Sequence, residues 1–149
     1  MKNKVMTLMI ATFLIFSAFG VLAINPSAYN GLNKGKVTHL YLYEKDSSWN
    51  VVDHGAWGKL SFKDNFVFNG HGLDSGDSYT LIRYTDPWNG YPISCLGSDV
   101  ADNGGNVHIS GDFVDGGSKV WLVLSEDVNC DTGMTAWNPS EYLFEYSTI

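Results

Sequence analysis

Apolar and polar residues alternate one by one through much of this chain. In "KVTHLYLYE" (36–44), Val37, His39, Tyr41 and Tyr43 fall on one face and Thr38, Leu40 and Leu42 on the other, the period of a half-buried strand. Comparable runs are "WNVVD", "GAWGKLSF", "NFVFN", "YTLIRYT", "NVHISGDF", "KVWLVLS" and "EYLFEYS". Clusters of Gly, Asp, Asn and Ser separate them, and these residues build turns. No stretch keeps a helical period, and the glycine spacing would break one. Tight turns are expected around Lys63-Asp64-Asn65 and across Asp115-Gly116-Gly117, each joining two strands into a hairpin. About eight such strands predict a single all-β antiparallel domain of two packed sheets, a β-sandwich, with a closed barrel as the alternative.

The first 23 residues break this pattern. Lys2 and Lys4 precede a long apolar run that ends in Val21-Leu22-Ala23, the layout of a secretory signal peptide with a small-residue cleavage site. The run is long enough that an uncleaved N-terminal anchor is the alternative, and only then would a membrane be a partner. Residues 24–35 are a polar, flexible lead, and residues 36–149 form the β domain. That length suits one domain with one core.

Composition adds two constraints. Nine Lys and Arg stand against sixteen Asp and Glu, for a net charge of −7, and losing Lys2 and Lys4 with the leader makes it more negative. Nucleic acid is therefore not an expected partner, because binding it depends on neutralising phosphates. The two cysteines, Cys95 and Cys130, both lie in the exported part, and an even count in an oxidising compartment predicts a disulfide between them.

The stretch "FNGHGLDSGDSYTL" poses the histidine question. Leu73, Gly76 and Tyr79 are spaced like the tyrosine corner of fibronectin type III and other Greek-key sandwiches, in which the tyrosine hydroxyl bonds back to backbone upstream. This local likeness implies an immunoglobulin/fibronectin-like Greek key. Gly70, Gly72 and Gly76 are then turn residues, and His71 between them is a turn residue too. The copper–zinc superoxide dismutases also carry histidines in glycine-rich loops. They need a dense histidine set with His-x-His, whereas His39, His54, His71 and His108 are scattered singly.

Other chemistries leave weaker marks. There is no Gly-x-Ser-x-Gly context for a serine nucleophile, no phosphate-cradling loop and no dinucleotide fingerprint. A glycosidase needs two opposed carboxylates, and sequence cannot single out a pair among sixteen. Aspartates cluster in "LDSGDS", "GSDVADNGGN" and "SGDFVDGG". Turn formation explains them, and calcium is the alternative, with Asp99, Asp102 and Asn103 as candidate ligands outside EF-hand spacing. Aromatic residues are the third feature. "YTDPWNGYP" places Tyr84, Trp88 and Tyr91 around Pro and Gly on a loop, where flat rings can stack on sugars or anchor a protein while Asp86 or Asn89 bonds hydroxyls. Trp57 shares its strand face with Lys59, opposite Leu60 and Phe62, and is expected to be exposed.

The stretches "GAWGKL", "FVFNGHGL", "DPWNGYPISCLGS", "GGNVHI" and "WNPSEYLFEY" together resemble a group of small secreted prokaryotic β-domain proteins, archaeal ones included, of uncharacterised function. The resemblance implies secretion and a β domain, and it transfers no catalytic residue. The expected function is a secreted or cell-surface, non-catalytic binding module for a surface glycan or a protein, with its site on the loop from Tyr84 to Tyr91. A metal-binding protein or metal-dependent extracellular enzyme, and a structural envelope component, are the alternatives.

Overall fold

In the computed structural model, residues 38–85, 89, 92–114 and 117–146 are described. The leader, the polar lead and the Asp115-Gly116 part of the second expected turn lie outside them. Among the described residues ten strands form: β1 (Thr38–Tyr43), β2 (Trp57–Phe62), β3 (Asn65–His71), β4 (Ser78–Tyr84), β5 (Ile93–Val100), β6 (Val107–Asp112), β7 (Lys119–Leu124), β8 (Val128–Asn129), β9 (Gly133–Met134) and β10 (Leu143–Glu145). The fold is all-β and antiparallel, as the alternation predicts.

Eight of the strands make one hydrogen-bonded sheet in the order β5-β4-β7-β10-β1-β2-β3-β6, where the sequence favoured two packed sheets. Three-residue β10 bridges the two halves, pairing with β7 on one side and β1 on the other. The sheet curls until its end strands β5 and β6 meet, nearly closed like a barrel. The His108 N–H donates to Asp99 Oδ2 at 2.7 Å across this seam. Gly97 of β5 lies so close that a Cβ there would stand 2.7 Å from Ile109 of β6. Closure of this kind hides strand edges that would otherwise invite pairing with other chains.

Leu40, Leu42, Leu60, Phe66, Phe68, Leu81, Ile109, Leu122 and Leu143 are among the residues that fill the core. Register explains the layering: Leu40 pairs with Leu60, Leu60 with Phe68, and Phe68 with Ile109, so one row crosses four strands. Gly58 leaves room for this row, since a Cβ there would overlap the Phe68 ring. A second apolar layer lies outside the sheet, where the segment 125–142 covers β4, β7 and β10. Trp121 packs there against Tyr84, Phe144 and Trp137. The Cys95–Cys130 disulfide, with Cα atoms 5.7 Å apart, ties this segment to β5. Beneath the segment, Asp127 Oδ2 accepts from the Tyr142 hydroxyl at 2.6 Å and from Asn138 Nδ2 at 2.8 Å.

The crossing from β3 to β4 carries Leu73, Gly76 and Tyr79. Leu73 and Tyr79 are buried, and Gly76 adopts φ +92°, a conformation costly for any residue with a Cβ. The Asp74 N–H donates to the Tyr79 hydroxyl oxygen at 3.3 Å. Tyr79→Phe should therefore cost about 1 kcal/mol, read as a lower urea midpoint at unchanged m-value.

Among the described residues Glu145 is the one acid buried in the sheet, paired in register with Leu42. Its Oε1 meets Lys119 Nζ at 3.1 Å, while Oε2 is buried without a partner. Burial raises the carboxyl above its usual range, and Lys119 and Lys45 offset part of that rise. A carboxyl raised on folding favours the folded state while protonated, and that advantage fades as pH climbs through its folded value. Glu145→Gln should therefore gain stability relative to wild type on going from pH 4 to pH 7. Paired denaturant titrations at the two pH values check this, and a constant difference between the proteins would refute it.

Candidate functional site: an aromatic and polar sheet face

The outward residues of β1, β2 and β3 form a grid. Register places Tyr43 beside Trp57 and Trp57 beside His71. The next row runs Tyr41, Lys59, Asn69 and His108, and the third runs His39, Ser61, Val67 and Ser110. Tyr146, just beyond β10, extends the first two rows, its N–H donating to the Tyr41 carbonyl. The rings form a connected path: Tyr146 to Tyr43 at 6.3 Å, Tyr43 to Tyr41 at 6.4 Å, Tyr41 to Trp57 at 6.5 Å, and Trp57 to His71 at 4.8 Å. Tyr41, Trp57 and Tyr146 keep 41%, 39% and 52% of their surface exposed. Such a contiguous patch on a folded chain marks a binding surface more often than chance exposure.

The polar members of the grid are held in place. His39 Nδ1 lies 2.9 Å from Ser61 Oγ, His71 Nδ1 2.8 Å from Asn106 Oδ1, and His108 Nδ1 2.8 Å from Asn69 Oδ1. An amide oxygen only accepts, so Nδ1 of His71 and of His108 is the donor, and each neutral ring offers Nε2 as an acceptor. Lys59 Nζ sits 5.9 Å over the Tyr41 ring, within cation–π reach. His71 differs from its expected turn position: it ends β3, and the outward phase of that strand stacks it on Trp57.

Beside the lower row, a cavity of about 210 Å³ opens at the barrel end. Ala56 and Gly72, the neighbours of Trp57 and His71, line it together with Glu44, Asp74, Tyr79 and Glu141. The Glu44 carboxylate accepts the Ala56 N–H at 2.9 Å. Burial, then a hydrogen bond to Asp74 and its charge, raise the Glu141 carboxyl above its usual range.

The other expected site residues are dispersed. Tyr84, expected on the aromatic loop, instead closes β4, buried against Trp121 with ring centroids 4.4 Å apart. Asn89 is exposed, while Asp86, Trp88 and Tyr91 lie outside the described residues. Asp99 spends its carboxylate on the backbone N–H groups of Val100 and His108. Asp102 accepts from Gly104 N, Asn106 N and Asn106 Nδ2, which hold its carboxyl below the usual range, and Asn103 is exposed in the same turn. Among the described residues, no three His, Cys, Asp or Glu side chains converge as metal ligands.

Sequence reasoning missed the grid as a unit. The alternation that put Tyr41 and Tyr43 on one face, and Trp57 beside Lys59, was its available signal. Comparisons with protein-family models, with curated proteins and with solved structures find no match to this chain.

Proposed function

We propose that this protein is a non-catalytic binding module of the cell exterior, and that the outward face of β1, β2 and β3 receives a carbohydrate. The observation that carries this reading is the interleaving of exposed rings with side chains already fixed by hydrogen bonds. Tyr41 and Trp57 offer flat apolar surfaces to the C–H face of a sugar, while Asn69, His71 and His108 stand beside them at the height of its hydroxyls. Pre-ordered partners reduce the entropy lost on binding. The disulfide fits an oxidising compartment, consistent with export through the basic and apolar N-terminal segment.

The test is a glycan and polysaccharide binding screen of the purified, oxidised protein beside Trp57→Ala and Tyr41→Ala. Each truncation should weaken binding by about tenfold or more, as loss of an aromatic anchor does, with little change in thermal stability because both rings are outside the core. If a glycan binds and neither variant alters its affinity, the site lies elsewhere. If no glycan binds, the carbohydrate reading fails and a protein partner becomes the better account of the face.

A further inference from the structure

We infer that the carbohydrate received by this face is anionic, a polymer of uronic acids whose carboxylate meets Lys59; this rests on the carbohydrate reading above. The protein is acidic, yet no carboxylate occupies an outward position of β1, β2 or β3, where His39, Tyr41, Tyr43, Trp57, Lys59, Ser61, Val67, Asn69 and His71 stand. The other described cations are engaged. Lys63 pairs with Asp64 at 3.8 Å, Lys119 with Glu145 at 3.1 Å, Lys45 reaches the Glu145 carbonyl at 3.5 Å, and Arg83 donates to the carbonyls of Val114 and Gly117. Lys59 has no carboxylate partner among the described residues. It lies at the middle of the grid, between Tyr41 on β1 and Asn69 on β3, with its ammonium over the tyrosine ring.

With no carboxylate beside it among the described residues, the Lys59 ammonium over the Tyr41 ring is placed to meet an acidic ligand. Glu44, Asp99 and Asp102 each accept backbone N–H groups rather than the lysine. At physiological ionic strength fields fade over about 8 Å, so this local charge outweighs the negative charge of the chain as a whole. A uronic acid carboxylate projects from the rim of its sugar ring. It leaves the ring's faces free to stack on Tyr41 and Trp57 while its oxygens reach the ammonium.

The experiment compares polygalacturonate with its fully methyl-esterified form, which keeps the backbone and removes the charge. Affinity electrophoresis is run on wild type, Lys59→Gln and Lys63→Gln, the last a charge-matched change at the β2–β3 turn, with thermal melts to verify folding. Polygalacturonate should retard wild type, and added salt should weaken the effect. The ester and the Lys59→Gln variant should each lower affinity about two- to fivefold, the scale of one partly exposed ion pair, while Lys63→Gln should match wild type. Equal affinity for acid and ester, equal loss in the two lysine variants, or binding of uncharged glucans alone would overturn the anionic assignment and leave the carbohydrate reading standing. Failure to bind any glycan, charged or neutral, would remove both.

Discussion

Phe68→Ala is expected to destabilise the protein by about 3–5 kcal/mol, the cost of removing a large ring from a packed core. Phe68 is fully buried on β3, in register with Leu60 on one side and Ile109 on the other. Its ring also fills the space over Gly58 and Gly70, neither of which has a side chain to move into the vacancy. The site can collapse little, so the cavity adds to the lost burial. A denaturant titration should show a much lower midpoint, and a loss under 1 kcal/mol would mean that the row relaxes far more than its glycine neighbours imply. The converse change, Gly58→Ala, should also destabilise, by roughly 1–3 kcal/mol, because the new methyl must displace the same ring.

Removing the Cys95–Cys130 bridge should cost roughly 3–4 kcal/mol, given a sequence separation of 35 and the chain-entropy account of cross-links. The bridge fastens the segment 125–142, whose Trp137 packs on Trp121 and Phe144 on the outer side of the sheet. The Cys95→Ala/Cys130→Ala variant should melt on the order of 10–20 °C below the oxidised protein. It should also bind a hydrophobic dye more strongly as the segment loosens. The grid on β1, β2 and β3 is remote from this segment in the strand order apart from its β10 neighbour. Glycan affinity measured well below the melting temperature should therefore survive the change. A melting temperature that barely moved would show that the Trp121 and Trp137 contacts hold the segment without the covalent link.

Much of the fold was legible because a strand's side chains alternate strictly. "KVTHLYLYE", "GAWGKLSF", "NFVFN", "YTLIRYT", "NVHISGDF", "KVWLVLS" and "EYLFEYS" each overlap an observed strand. Two readings went astray for physical reasons. "WNVVD" is β-branched and aromatic, but it lies on the excursion between β1 and β2, where it pairs only with residues 44–46 through one bridge, Lys45 with Val51. β5, "ISCLGSDV", was passed over because Ser, Gly and Cys blur its alternation. Those small residues are what its place requires, with Gly97 against Ile109 at the seam and Cys95 in the bridge.

The sequence by itself determined the strand faces, the antiparallel all-β class and the pairing of its only two cysteines, because each follows from local period or from counting. It also placed Tyr41 and Tyr43 on one face of their strand and Trp57 on an exposed face. Tertiary structure decided the rest. One sheet curls until β5 meets β6, a matter of how strands far apart in sequence associate. Tyr84 is buried against Trp121, 37 residues further on, so its aromatic character says nothing about its exposure. The binding face depends on register: Tyr43, Trp57 and His71 become neighbours only when β1, β2 and β3 pair in one alignment, and a slip of one residue would turn the rings of a strand inward. Lys59 shows the same division, since its charge is written in the sequence while its lack of a carboxylate partner among the described residues depends on where the acids are placed.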